Sequence, residues 1–346
     1  MMKIINDLTR SILRKPILVP FSAVFSPCYS GIGSIVMFHR VLQNDKEIIC
    51  GDIEITEAYL VKIIDFFASK DYEFISLDDL YDILKGNIIK KKFVVFTFDD
   101  GYEDNYSVAY PVFKKYNIPF AIYICSSFPD KRANLWWYAL KELTDTNIKL
   151  EFEYHKKFFT IRTSTLNEKK SAYREIRKLI LDLNGMEQVV FIDNLFKKYD
   201  IKIEKYVDKF ALSWNQIKTM SQDKLVTIGA HTENHYNLKE LDTAIMLKEI
   251  NKSKEKIEVM IGKKVEHFAY PFGSKNEAST REFNIAKSIG FKTSTTTRCG
   301  NIHLGHNKKL ESLPRISPGP NSESPLPSLY VNGLVPALVN KLKRII

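Results

Sequence analysis

The sequence predicts an α/β fold in which parallel strands alternate with helices and close into a barrel. Two observations predict it. Short, β-branched apolar runs, about six or seven of them, alternate with amphipathic helical stretches. The residues best suited to chemistry, His39, Asp99, Asp100, His231 and the turn at 270–273, each follow the end of such a run. Active sites of α/β barrels are built at that C-terminal edge of the strands, so the two observations support one another.

Taken in order, residues 33–39 (GSIVMFH) read as a strand, 55–72 as an amphipathic helix, and 76–86 as a second helix with Ser76 as its N-cap. FVVFTF (93–98) is apolar throughout, as a strand covered on both faces is. Residues 105–117 predict a helix whose first turn Pro111 limits, and 118–125 a second buried strand. Strand, helix and strand with a short return imply a right-handed parallel crossover. From about 130 to 210 the chain turns to charged helical segments such as 168–183 and 189–200, which read as a helical insertion rather than an independent domain. The rhythm resumes with a strand at 225–231, a helix at 243–261, a strand at 267–273, a helix at 277–289 and a strand at 291–297. The expected organisation is a terminal segment (1–32), the barrel with its insertion (33–318) and a tail (319–346).

With 346 residues, 45% of them hydrophobic, the chain can bury a full core. Lys and Arg outnumber Asp and Glu by 51 to 41, a net charge of +10 that suits an anionic partner. The basic residues are dispersed and accompany no nucleic-acid-binding motif, so nucleic acid is not expected. Cys28, Cys50, Cys125 and Cys299 are far apart with no CxxC pair, which predicts reduced, buried thiols. The apolar stretch 17–38 contains Pro20 and Pro27, so no membrane-spanning helix is expected there. Lys3, Arg10, Arg14 and Lys15 precede it as they would in an export signal, but no small-x-small cleavage site follows cleanly. A cytoplasmic location is therefore expected, with export by an atypical signal segment as the alternative. Residues 3–15 place Ile4, Ile5, Leu8, Ile12 and Leu13 on one side of a helical wheel, and 334–346 repeats that basic amphipathic style. Helices docked on the domain are the ordinary expectation; peripheral contact with an anionic membrane, at its inner face, is the sharper one.

Two motifs carry chemistry. TFDDG (97–101) ends a buried strand in adjacent carboxylates, a costly placement unless a cation or donors compensate; the plainer reading is a turn. GAHTENH (229–235) sets two histidines, separated by three residues, directly after a strand. Two imidazoles and one carboxylate, with positions left to water, form a catalytic arrangement for zinc or a similar ion; a solvated loop is the plainer reading.

Together with FAYPFG (268–273), these motifs resemble the polysaccharide deacetylases of carbohydrate esterase family four, with their NodB-homology domain. The resemblance runs from about residue 33 to 318, interrupted by the insertion. It implies a distorted (β/α)7 barrel and a hydrolase that removes N-acetyl groups from a polysaccharide or lipid-linked saccharide in bacterial surface-polysaccharide biosynthesis. It further implies a divalent metal, Zn2+ first with Co2+ or Ni2+ as alternatives, held by Asp100, His231 and His235, with Asp99 as the catalytic base. The family's third motif carries an arginine that orients the base, whereas the segment here has none; Arg315, in LPRIS, is the candidate to replace it. The Tyr270, Pro271 and Phe272 turn would supply a backbone donor to the oxyanion, near Tyr270. The family's C-terminal Leu-x-His motif is missing, but VMFHRV (36–41) is similar to the start of the circularly permuted poly-N-acetylglucosamine deacetylases. That similarity makes His39 the general acid, with His303 and His306 as rivals. Trp136, Trp137, Tyr138 and Trp214 would either stack on sugar rings or pack in the core. A noncatalytic carbohydrate-binding protein and an amidase acting on a nonsugar amide are the alternative readings.

Overall fold

A computed structural model of the chain describes residues 18–44, 53–318 and 327–345. Two short helices, α1 (Leu18–Ser22) and α2 (Ser26–Tyr29), lead into β1 (Gly33–Phe38), buried along its whole length. A parallel ribbon of β2 (Arg40–Leu42) and β3 (Glu54–Thr56) precedes α3 (Glu57–Ser69), whose cap is the Thr56 hydroxyl accepting from the Tyr59 amide. Next come β4 (Glu73–Phe74) and α4 (Leu77–Lys85), which carries the expected Ser76 cap as a reciprocal box with Asp79. β5 (Phe93–Phe98) follows. The helix expected at 105–117 begins as a wider π turn at Asn105–Ala109, and α5 (Tyr110–Tyr116) starts where Pro111, lacking an N–H, fits a first turn. β6 (Phe120–Ile124) completes the first crossovers.

The insertion contains α6 (Trp136–Thr146), the antiparallel hairpin β7 (Lys149–Tyr154) and β8 (Lys157–Arg162), α7 (Leu166–Leu181), α8 (Gly185–Lys198) and α9 (Glu204–Phe210). The hairpin corrects the expectation of a purely helical insertion. Its turn residues His155 and Lys156 sit at φ 48° and 61°, a conformation that Asn or Gly normally announces, so the sequence carried no turn signal. The insertion's core, with Leu140, Leu143, Ile176, Ile192 and Phe196, is continuous with Tyr102 and Phe128 of the barrel loops.

Beyond it lie α10 (Trp214–Ser221), β9 (Val226–Ala230), α11 (Thr243–Ile261), β10 (His267–Ala269), α12 (Thr280–Ser288), β11 (Thr293–Cys299), β12 (Leu313–Arg315), α13 (Pro327–Val331) and α14 (Leu334–Val339). The strands run parallel in the order β1-β5-β6-β9-β10-β11-β12, with β4 beside the lower half of β5. A short parallel pairing between Val36 and Ile316 closes the ring: the Met37 amide donates to the Ile316 carbonyl at 2.9 Å, and the Ile316 amide to the Ile35 carbonyl at 2.8 Å. The result is a distorted (β/α)7 barrel. Alternate residues face in and out. Ile35, Val95, Tyr123 and Ala269 fill the interior above a plug formed by Leu77, Leu80 and Leu84 of α4. Val36, Phe96, Phe98 and Ile122 pack outward against the helices, where Phe113 stacks on Phe120 at 4.5 Å. Burial on both faces accounts for the uninterrupted apolar runs.

The C-terminal expectation needs correcting. α14 ends at Val339, and Leu334, Val335 and Ala337 are buried against the barrel. Lys341 and Leu342 then take φ 52° and 61°, so the basic residues lie beyond the helix rather than on its outer face. The 3–15 segment and Cys50 lie outside the described residues. Cys125 and Cys299 are buried free thiols as expected, but Cys28 is exposed. No helix among the described residues is long and apolar enough to cross a membrane.

Candidate active site

Every expected site residue except His303 and His306 arrives at the C-terminal mouth of the barrel: His39 after β1, Asp99 and Asp100 after β5, His231 and His235 after β9, the 270–272 turn after β10, and Arg315 at the end of β12. The chain breaks sharply at the end of β5. Asp100 takes φ 76° and Gly101 φ 94°, and the Gly101 amide turns back to the Asp99 carbonyl at 3.0 Å. This turn sends the adjacent carboxylates to different partners. Thr232, His235 and Phe272 also adopt positive φ, at 65°, 57° and 58°. Each such residue costs of order 1–3 kcal/mol, so the surrounding fold holds a strained backbone around one mouth.

Asp99 meets Arg315. Nη1 donates to Oδ1 and Nη2 to Oδ2, both at 2.6 Å, a bidentate pair with no solvent exposure at the arginine. Arg315 is itself fixed by bonds from Nη1 to the Thr97 hydroxyl and from Nε to the Thr296 carbonyl. Burial alone would push the Asp99 carboxyl up; the charge and hydrogen bonds of Arg315 outweigh it and hold the carboxyl below its usual value.

Asp100 faces the two histidines, its Oδ1 lying 3.3 Å from His231 Nε2 and 3.2 Å from His235 Nε2. The ligand atoms of all three lie within 4.8 Å of one another. His231 Nδ1–H donates to the Ala269 carbonyl at 2.7 Å, which directs the Nε2 lone pair at Asp100. A buried carboxylate oxygen with no hydrogen-bond donor, opposite an imidazole lone pair, needs a positive charge between them. The donor set fits a divalent cation such as zinc. Burial would raise the Asp100 carboxyl, but its electrostatic surroundings hold it well below its ordinary value.

His39 feels the charges of Asp100, Asp99, Arg315 and His231, which places it in the same mouth; burial dominates and lowers its pKa from the ordinary 6.5. Its carbonyl accepts from Asn105 Nδ2 at 2.7 Å. Behind it lies a network the sequence reading did not find: Arg40 pairs with Asp104 at 2.7 Å and Glu54 at 2.9 Å, and its guanidinium lies 4.1 Å from the centre of the Phe210 ring. Asn234, inside the HTENH motif, clamps the histidine loop to α11 through Glu249, donating from its amide at 2.9 Å and its side chain at 2.7 Å. Glu249 falls on the buried side of an otherwise ordinary amphipathic helix, so no motif announced it.

The walls are aromatic. The Phe272 ring lies 4.7 Å from that of His235, and Trp137, from the insertion, lies 5.5 Å from it while donating to the Tyr102 hydroxyl at 3.1 Å. Of the four candidate stacking residues only Trp137 is placed against a site histidine. Trp136 packs edge-on to it, Tyr138 donates to Glu54, and Trp214 donates to Asp130. Within the expected Tyr270, Pro271 and Phe272 turn, the free backbone N–H is that of Phe272. The Tyr270 amide is spent on the Thr295 carbonyl at 3.1 Å, and proline has no N–H, which leaves the Phe272 amide.

His303 and His306 are not rivals for the acid. His303 lines a cavity with Gly31, Ile32 and Lys92, which precede β1 and β5, so it sits at the opposite end of the strands from His39 and Asp99. His306 is buried beside it, its Nδ1 accepting from the His303 amide at 2.9 Å.

The family model described as "Polysaccharide deacetylase" matches residues 86–155 and 180–294. The putative polysaccharide deacetylase YxkH of Bacillus subtilis (strain 168) is 39% identical over 61 residues, covering 18% of this chain and 22% of that protein, so less than a quarter of the relative's length is matched. Among solved structures, Streptococcus pyogenes deacetylase PplD in complex with acetate superposes with a TM-score of 0.54 at 19% identity, over 83% of this chain and 92% of that one. IcaB from Ammonifex degensii gives 0.54 at 18%, over 87% and 97%. A de-N-acetylase from Aggregatibacter actinomycetemcomitans gives 0.54 at 17%, over 87% and 99%. At these identities the structural likeness speaks for the fold.

Proposed function

Because the chain belongs to the polysaccharide deacetylase family, we propose that it is a metal-dependent hydrolase releasing acetate from an N-acetylated glycan. The observation that carries this reading is the Asp100, His231 and His235 cluster beside an Asp99 held ionised by Arg315. A divalent cation bound by the three side chains, Zn2+ by the donor set with Co2+ or Ni2+ as alternatives, supplies Lewis acidity toward the acetamide carbonyl and lowers the pKa of water. Asp99 accepts the proton of the attacking water, and the bidentate grip of Arg315 fixes the plane of its carboxylate. The Phe272 amide donates to the oxygen that becomes negative. His39 gives a proton to the departing amine, a poor leaving group unless protonated. Trp137 and Phe272 border the cleft with ring faces and edges suited to a sugar.

The noncatalytic alternative drew its strength from the arginine missing at the third motif. Arg315, reaching Asp99 from another strand, removes that reason. As part of the same proposal, the +10 charge suits a phosphate-bearing glycan carrier, and the action belongs to surface-polysaccharide assembly at the inner membrane face. Cell fractionation that finds the chain exported would overturn that placement.

The deciding experiment measures acetate release from N-acetylated saccharides before and after chelation, with zinc, cobalt or nickel restored. Release that chelation stops and metal restores is expected. Saccharide binding without acetate under every metal would sink the hydrolase, and release from nonsugar amides alone would redirect it to an amidase.

A further inference from the structure

The base of the barrel, opposite the catalytic mouth, carries a cavity of about 720 Å³. Ser26, Ser30, Ile32, Lys92, His303 and Arg344 contribute to its lining, in which there is no carboxylate. Among the described residues neither Lys92 nor Arg344 makes an ion pair; Lys92 Nζ donates only to the Ser30 hydroxyl, at 2.8 Å. Burial, then the charges of Arg344 and Lys92, push the His303 pKa below its ordinary value, as expected of an imidazole facing two cationic side chains across the cavity they line. Like charges gathered in a concavity without a counter-charge are relieved by an anion.

The rim says which anion. Phe21 and Val24, beside the lining residue Ala23, are 65% and 78% exposed, and Leu304, itself part of the lining, is 63% exposed. Leu342, whose carbonyl accepts from the Tyr29 hydroxyl at 2.7 Å, adds a fourth bare side chain at 64%. A site for free phosphate needs the cations but no such rim. Bare apolar side chains around a basic centre fit the boundary between headgroups and acyl chains.

We propose that this face docks on anionic phospholipid, the phosphate seated among Lys92, His303 and Arg344 with Phe21, Val24 and Leu304 entering the headgroup boundary. The geometry then orients the protein. Gly31, Ile32 and Lys92 precede β1 and β5, while His39 and Asp99 follow them; a six-residue strand spans about 20 Å. The mouth faces away from the bilayer, so the acetyl groups within reach are those of a glycan extended well clear of its anchor, not those of the sugar adjoining a lipid carrier. This last step rests on the deacetylase reading; the docking itself does not, because it is read without turnover.

The test is co-sedimentation of the full chain with vesicles of phosphatidylcholine alone and of phosphatidylcholine with phosphatidylglycerol, at low and high salt. The expected result is binding to the anionic vesicles only, weakened by salt and reduced about tenfold or more in the double variant Lys92→Glu, Arg344→Glu. A second variant, Phe21→Ser with Val24→Ser, is expected to lose the salt-resistant remainder. The far-UV circular dichroism spectrum and Tm should be unchanged in both, which guards against misfolding. Binding that survives the charge reversal, as the N-terminal segment alone would give, overturns the proposal. So does saturable binding of inorganic phosphate by protein that ignores both vesicles.

Discussion

Asp99 and Asp100 are neighbours in the chain, yet one faces a guanidinium and the other two imidazoles, and the roles proposed for them rest on that division. Asp99→Asn is expected to abolish acetate release while the protein retains its metal by elemental analysis; metal loss instead would mean the two roles are exchanged. His231→Ala or His235→Ala should lose metal. Arg315→Met leaves a buried carboxylate without its partner, at a cost of about 3–5 kcal/mol in denaturant unfolding. The direction of its pH effect follows from the present balance. Arg315 now holds the Asp99 carboxyl below its ordinary value, so removing it lets burial raise that value, and the acid limb of kcat/KM moves to higher pH. An unmoved limb would remove Asp99 as the base. The motif residues were legible because they stand in short runs. Arg315 was legible only as a lone arginine after the last strand, since nothing in a sequence pairs it with a carboxylate 216 residues away. The two downstream histidines misled because sequence order does not say at which end of a barrel a loop emerges.

At the scale of elements, legibility followed end signals. The helix expected at 243–261 has those bounds because Asp242 caps its start and Gly262, at φ 71°, ends it. The insertion hairpin had neither signal, and the C-terminal segment carried a helical pattern past the point where the helix stops. The insertion also matters to the site, since α6 brings Trp137 to the His235 wall. Trp137→Ala is expected to raise KM for saccharide several-fold with metal content unchanged; an equal fall in metal occupancy would make its role structural. The basal plug α4 is tied to the neighbouring strands through Asp78, which accepts from Lys292 at 2.8 Å and lies 3.4 Å from His267. His267 first, then Lys292, hold the Asp78 carboxyl below its unfolded value despite partial burial. A carboxyl depressed in the folded state contributes stability above its unfolded pKa, near about 4, and loses it as pH falls. Asp78→Asn should therefore lower Tm near neutrality and flatten the acid-side decline, so that variant and parent converge as pH falls.

For the whole molecule, the ring order and the inward–outward alternation explain why a parallel barrel could be read from apolar runs alone, while its closure could not. The candidate metal ligands follow two strands, β5 and β9, that β6 separates, so an ion held by them would tie the two together. Saturating metal at about a hundredfold over its Kd should add roughly 2.7 kcal/mol of stability, seen as a higher Tm that chelation reverses. No shift would argue against the cluster as a cation site.

The pairing of Val36 with Ile316 gives the ring a last stave, and Arg315 is carried on it. A ribosome delivers that stave late. Until it docks, the Asp99 carboxylate has no counter-ion, so closing the seam and pairing that carboxylate are a single event in the fold.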